Sequence, residues 1–402
     1  MSARNLEKHK DYVYSCLRCG SCRDAYYVQE NTFLICPVRE LTGGFDVYYA
    51  RGKMMLARKY LEGAIKPSEE LMRYIYMCTT CANCREHCRI SMNLPGRKTI
   101  LDQIAVIEAF RADLVEQGFC PPKIKAFAES IRKNYNPYHE KHSERTLWMV
   151  KEVRLPEKAD ILYFVGCTSS YRRKEIAQNT LDILLKVNVN FTISPNEWCC
   201  GSPALRTGWV DVAKEMARHN IELIESIGAK TVVTSCAGCY RTLKLDYPRL
   251  VGKPGFEVLH TTELLQRLIG EGKITFKDVN ASEKMIVTYH DPCHLGRHVG
   301  IYDPPREVLK SLPFVELVEM RRTRSGSWCC GSGGGFKSAF GDLAVQLAEE
   351  RLREARETGA KALVTSCPFC VHNFLDAKFS MEKRGERVPD IYDIVQLVSK
   401  VL

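Results

Sequence analysis

The stretches "CLRCGSC" and "CTTCANC" each set three thiols at two-residue intervals, Cys16, Cys19 and Cys22 in one and Cys78, Cys81 and Cys84 in the other. Each triplet is followed by a fourth cysteine, Cys36 before Pro37 in one case and Cys88 in the other. Three thiolates so spaced wrap one face of an iron–sulfur cube, and a remote fourth closes it. In two-cluster ferredoxins the fourth ligand belongs to the other cluster. The expected sets are therefore Cys16, Cys19, Cys22 and Cys88 on one 4Fe–4S cubane, and Cys78, Cys81, Cys84 and Cys36 on the other. Structural zinc is the competing reading, but it usually takes two separated pairs of ligands, and a triplet leaves one thiol too many. Thirteen residues separate Cys22 from Cys36 instead of the usual three, so a loop is expected to fold outwards there.

Ten more cysteines form a second pattern. "EWCCGSP" carries Cys199 and Cys200, and "SWCCGSGGG" carries Cys329 and Cys330. Adding the flanking positions gives Cys167, Cys199, Cys200, Cys236 and Cys239 in one set and Cys293, Cys329, Cys330, Cys367 and Cys370 in the other. The spacing is C-x31-CC-x35-C-x2-C in the first and C-x35-CC-x36-C-x2-C in the second. Neighbouring side chains on extended backbone point to opposite faces, so a doublet poorly suits one small ion. A larger, irregular metal cluster accommodates both, and the glycine after each pair lets backbone come close. Zinc with a spare thiol, a strained vicinal disulfide and simple burial of small apolar side chains are the alternatives. Cys120, in "GFCPP", is left over and reads as structural.

Other groups near these thiols are candidates for assistance. "YHDPCHLGRHVG" places His290, Asp291, His294, Arg297 and His298 around Cys293. His290 or His294 there is a candidate proton donor to a leaving thiolate, against the plainer role of a hydrogen-bonded loop histidine. Arg206 and "RRTR" at 321–324 are candidate anchors for an anionic substrate, or else a solvated face. "GSGGG" at 331–335 lacks a phosphate-loop pattern and reads as close backbone packing around a cluster.

The elements that must position these residues follow from periodicity. "YYARGKMMLARKYLEGA" and "PSEELMRYIYMC" read as helices, the second with a Pro-Ser start followed by two acids. "NYNPYHEKHSERT" reads as a loop. The rest is an internal repeat: "ADILYFVGC" and "MIVTYHDPC" open each copy, a long amphipathic helix follows each doublet, and "TVVTSC" or "ALVTSC" follows "GAK". Strand–helix–strand alternation predicts α/β units with mainly parallel sheets, packed as a pseudo-dimer, with cysteines at strand ends. The expected domains are 1–155, mainly helical and ferredoxin-like, then 156–280 and 281–402, one repeat each.

The 402 residues are 45% hydrophobic and 26% charged, ordinary for a globular chain. No apolar run has bilayer-spanning length, and "MSARNLEKHK" has no apolar signal region. A cytoplasmic protein is expected, meeting any membrane through a partner subunit. The formal charge of +10 counts every cysteine as neutral, whereas thiolate-held clusters carry negative charge, so the excess does not argue for nucleic acid.

The doublet pattern resembles that of the CCG (cysteine-rich) domain. Two such units behind a two-cluster ferredoxin are similar to the D-type subunit of heterodisulfide reductase, and to iron–sulfur subunits of glycolate and lactate oxidases and of some anaerobic reductase complexes. The resemblance spans nearly the whole chain. It implies a non-cubane 4Fe–4S cluster on all five cysteines of each unit, in addition to the two cubanes, and two-electron reduction of a heterodisulfide between them. It also implies redox partners: a flavoprotein, an electron-transfer flavoprotein or a membrane cytochrome. Under the rival implication the chain only passes electrons within a flavin-dependent complex acting on a hydroxy acid or acyl-CoA.

Overall fold

A computed structural model describes residues 4–24, 34–90, 101–150, 153–277 and 284–402. Most of the loop expected between Cys22 and Cys36, and the junction expected at 280/281, lie outside the described residues. The chain forms two compact units. One holds residues up to 128 together with 203–210 and 321–351, and the other holds 129–202, 211–320 and 352–402.

The first unit is helical. Ser68 begins the helix Glu69–Tyr76 by accepting the Leu71 N–H at 3.1 Å, as the Pro-Ser start predicts. Asp102 does the same for Gln103–Glu116, accepting from the N–H groups of Ile104 and Ala105 at 2.9 and 3.1 Å. The helix Ala50–Leu61 buries Met54, Ala57 and Tyr60. The segments 203–210 and 321–351 join this unit through specific contacts. Buried Arg111 donates to the carbonyls of Arg206 and Gly334, each at 2.8 Å. Tyr76 Oη donates to the Thr207 carbonyl at 2.9 Å. Phe336, Ala344 and Leu347 pack with Val38 and Met77.

The second unit holds two four-stranded sheets. The strands are β1 (Ile161–Tyr163), β2 (Phe191–Thr192), β3 (Thr231–Thr234), β4 (Glu257–His260), β5 (Met285–His290), β6 (Val315–Val318), β7 (Ala362–Thr365) and β8 (Asp390–Asp393). The orders are β2-β1-β3-β4 and β6-β5-β7-β8, and every neighbouring pair is parallel. The predicted α/β class with parallel sheets is what forms. Runs such as "TVVT" and "ALVT" are buried almost throughout, as suits strands covered on both faces.

The two copies repeat each other in detail. Tyr163 Oη lies 3.2 Å from Ser235 Oγ in the first sheet, and Tyr289 Oη lies 3.2 Å from Ser366 Oγ in the second. β4 and β8 each end in a side chain that begins the next helix, His260 for Thr261–Gly270 and Asp393 for Ile394–Ser399. The helix Lys174–Lys186 of the first copy packs on Ile394–Ser399 of the second, and Asp303–Ser311 of the second packs on Thr261–Gly270 of the first. This reciprocity is the signature of a two-fold arrangement within one chain.

The glycine run packs tightly, but against the Cys78–Thr80 loop of its own unit. A Cβ on Gly334 would lie 2.9 Å from Thr80 Oγ1 and 3.0 Å from the Cys78 carbonyl, and the residue has φ +61°. Gly334→Ala is therefore expected to destabilise the chain by roughly 1–3 kcal/mol, read as a lowered midpoint in chemical unfolding of the metal-free protein.

Candidate metal centres

The two ferredoxin-type sets line separate cavities. Cys16, Cys19, Cys22 and Cys88 border one, beside Arg18, Arg51 and Met54. Cys36, Cys78, Cys81 and Cys84 border another, beside Lys53, Val38 and Ile107. The exposures differ: in the first set Cys19 is exposed and Cys88 buried, whereas Cys36, Cys78, Cys81 and Cys84 are all half-buried and none is exposed. Burial pushes the Cys36 thiol up to about 12 and the Cys84 thiol well up. The Thr80 N–H points at Cys78 Sγ from 3.4 Å. Four sulfurs around one cavity, with main-chain N–H directed at sulfur, fit a thiolate-held cluster.

In the second unit all five cysteines of the first repeat are buried. Cys167 follows β1 and opens the helix Cys167–Tyr171, and Cys236 precedes Ala237–Arg241 at the end of β3. Their thiols lie near enough to perturb one another in series, Cys167 with Cys199, Cys199 with Cys200, Cys200 with Cys239 and Cys239 with Cys236. The series continues into the second repeat, from Cys236 to Cys367 and on to Cys370. The thiols of Cys199 and Cys239 pull Cys200 down to about 6. The doublet is held by main chain and side chain together. Gly201 (φ +82°) directs its N–H at Cys199 Sγ from 3.5 Å, and Gly331 (φ +89°) repeats this at Cys329 Sγ from 3.4 Å. Asn220 Oδ1 accepts the Trp198 N–H, and Asn220 Nδ2 donates to the Cys199 carbonyl. Trp198 itself is stacked between Tyr135 and His219, with ring centroids 3.8 and 3.6 Å away.

A buried ion pair completes the first-repeat site, and spacing offered no hint of it. Arg145 Nη1 lies 3.7 Å from Cys167 Sγ, and its other terminal nitrogen pairs with Glu197. The Glu197 carboxylate also accepts the N–H groups of Val165 and Gly166 at 2.8 and 2.9 Å, fixing the turn that delivers Cys167. Arg145 comes from the segment read as a loop, and Glu197 is the residue before the tryptophan of "EWCC". The second copy has Ser327 at that position.

The remaining candidates fall as follows. Cys367 begins the helix Pro368–Lys383, and Cys370 lies in its first turn. Cys293 follows β5 and is half-buried, and Cys329 and Cys330 are buried in the first unit. His290 is fully buried at the end of β5, edge-on to Phe374, with a ring nitrogen within 4.8 Å of Cys370 Sγ. His294 reaches across the repeats: its Nδ1 lies 3.8 Å from where a Cβ on Gly238 would sit, between Cys236 and Cys239. His298 is edge-on to it at 4.6 Å. Asp291 is held by both terminal nitrogens of Arg306, at 2.7 and 3.0 Å. Arg206 is not a substrate anchor: it is 2% exposed and its Nη1 contacts both carboxylate oxygens of Glu108, at 2.7 and 2.9 Å. In the basic run, Arg322 lies over the Trp328 ring at 4.1 Å. Cys120 Sγ lies 3.9 Å from Tyr76 Oη, whose proton goes to the Thr207 carbonyl, consistent with a structural role.

Known proteins match this arrangement. Residues 161–244 and 287–375 match the cysteine-rich CCG domain family, and residues 8–92 match the 4Fe-4S dicluster domain family. The chain is 38% identical to the D-type subunit of the dihydromethanophenazine:CoB–CoM heterodisulfide reductase of Methanosarcina barkeri, over 96% of this chain and 93% of that one. It is 28% identical to the EtfAB:quinone oxidoreductase of Syntrophomonas wolfei, over 96% of this chain and 58% of the relative. A crystal structure of a hypothetical protein from Helicobacter pylori is similar in fold, with a TM-score of 0.59 at 12% identity over 100% of this chain and 76% of that one.

Removing one partner of a buried ion pair strands the other charge. Arg145→Met is expected to cost about 3–5 kcal/mol, and Arg145→Met with Glu197→Gln less than that, compared by denaturant unfolding of the metal-free chain.

Proposed function

The chain belongs to the family of CCG-domain iron–sulfur oxidoreductase subunits that includes the D-type subunit of heterodisulfide reductase, and from that premise we propose that it reduces a disulfide, with electrons supplied through its ferredoxin-type segment. The proposed ligand sets are Cys16, Cys19, Cys22 and Cys88, and Cys36, Cys78, Cys81 and Cys84, for two cubanes. Cys167, Cys199, Cys200, Cys236 and Cys239, and Cys293, Cys329, Cys330, Cys367 and Cys370, are proposed to hold two non-cubane 4Fe–4S clusters. Cleaving R–S–S–R′ to two thiols takes two electrons and two protons, and clusters of this kind supply the electrons when bound. The observation that carries the reading is the electrostatic coupling of the Cys236 and Cys367 thiols, which places sulfurs of the two repeats near each other. A substrate needing one electron from each side is best served where two such sets meet.

The chain's own residues supply the rest. Burial of the first-repeat thiols keeps bulk water from that site. Arg145 sets a positive charge beside Cys167, and the Glu197 carboxylate holds the turn in place. His294, 8% exposed and paired with His298, is better placed than sealed His290 to pass a proton to a departing thiolate. A second reading makes the chain an electron-transfer subunit of a flavin-dependent complex. Similarity to EtfAB:quinone oxidoreductase supports it. Either way a separate redox partner is needed, because the sequence has no dinucleotide-binding fingerprint. No described helix is long and apolar enough to cross a membrane.

Anaerobically purified protein, reduced with a viologen dye, is expected to reoxidise on addition of a mixed thiol disulfide. Absence of reoxidation, with the dye still reducing the metal centres, leaves the electron-transfer reading. Iron is expected to approach about sixteen atoms per chain, four for each of four clusters. In an electron paramagnetic resonance comparison, Cys200→Ser is expected to abolish the first-repeat signal and spare the ferredoxin-type ones.

A further inference from the structure

Two cations are buried beside the Cys36, Cys78, Cys81 and Cys84 cavity with main-chain carbonyls as their hydrogen-bond partners. Lys53 lines the cavity, is 2% exposed, and donates from Nζ to the carbonyls of Val47 and Tyr74 at 2.8 and 2.7 Å. Arg111 is wholly buried and donates to five carbonyls, those of Ile75, Tyr76, Cys78, Arg206 and Gly334. Carbonyls satisfy N–H groups but do not offset net charge, and an uncompensated cation in a protein interior costs several kcal/mol. Glu108 is within electrostatic reach of Arg111, but its carboxylate is bound by Arg206. The strongest favourable charge at both cations is instead Cys78, followed at Lys53 by Cys36. With Lys53 buried and held only by carbonyls, the site is costly for a cation unless anionic sulfur is present.

The other cavity is built differently. Its lining cations, Arg18 and Arg51, reach solvent, and Arg51 is 40% exposed and paired with Asp46 at 2.8 Å. Water and salt screen such charges strongly.

We infer that Lys53 and Arg111 are the counter-ions of the centre held by Cys36, Cys78, Cys81 and Cys84, and that they raise its reduction potential above that of the centre held by Cys16, Cys19, Cys22 and Cys88. Taking up one electron adds one negative charge and breaks no bond, so a buried cation favours the reduced form. A cluster held by Cys36, Cys78, Cys81 and Cys84 would then be the favoured resting place for an electron reaching one held by Cys16, Cys19, Cys22 and Cys88. That is where Arg111 ties the Cys78 loop to Arg206 and Gly334, which follow the two doublets in sequence. Lys53 and Arg111 are positioning residues for charge and touch no substrate. The inference rests on the proposed ligand sets.

The test is a redox titration of the iron-loaded protein followed by electron paramagnetic resonance, with the buried centre's signal identified by its loss in Cys84→Ser. Lys53→Gln keeps a donor for Val47 and Tyr74 but removes the charge, and Lys53→Arg keeps the charge. In Lys53→Gln the buried centre is expected to fall in potential by at least a tenfold change in its reduction equilibrium, about 59 mV for one electron. The exposed centre is expected to move less, and Lys53→Arg to stay near the parent. Selective loss of iron from the buried centre in Lys53→Gln but not in Lys53→Arg also supports the inference. An unmoved potential at full iron, an equal shift of both centres, or iron lost alike in both variants overturns it. A parent protein that takes up little iron fails the ligand sets themselves, which separates the two failures.

Discussion

The contact between Cys236 and Cys367 organises the second unit. Each thiol sits where a central parallel strand ends and a helix begins, and helices from opposite copies pack reciprocally around the pair. The preceding serines, Ser235 and Ser366, are each held by a tyrosine of the neighbouring strand. Strand ends in a parallel sheet gather ligands anyway. Duplicating the sheet and facing the copies together turns two such gatherings into one continuous series of seven sulfurs.

Concentrated sulfur charge has to be met by positive charge, and the molecule does this in three ways. At the first repeat, Arg145 beside Cys167 is itself neutralised by Glu197, so the pair leaves a dipole with its positive end at sulfur. At the buried ferredoxin-type cavity, Lys53 and Arg111 are met by carbonyls rather than carboxylates. At the exposed cavity the cations are half in water, and Arg51 is paired with a surface acid. These differences do not follow from cysteine spacing, which is nearly the same in both triplets.

The sequence was legible where chemistry repeats at short range. Triplets, doublets, the strand runs and the helix begun by Ser68 all declare themselves within a few residues, and the α/β class follows from their alternation. What spacing hides is pairing over long separations. Arg145 meets Glu197 across 52 residues and Arg111 meets Gly334 across 223. Arg206, next to a doublet in sequence, reads as an anchor for an anion because its partner Glu108 is 98 residues away. The glycine run reads as a close approach, and its neighbour is the Cys78–Thr80 loop, which nothing local indicates.

Glu197 and Ser327 occupy the same place in the two copies of the tryptophan–cysteine motif. In an assembly of two identical chains such a mismatch cannot exist, since every residue recurs at its mirror site. Tethering both halves in one polypeptide lifts that rule and lets each diverge at matching positions. The Cys167 end of the sulfur series, where Arg145 meets Glu197, is thereby free to carry a charge arrangement that the second motif does not copy.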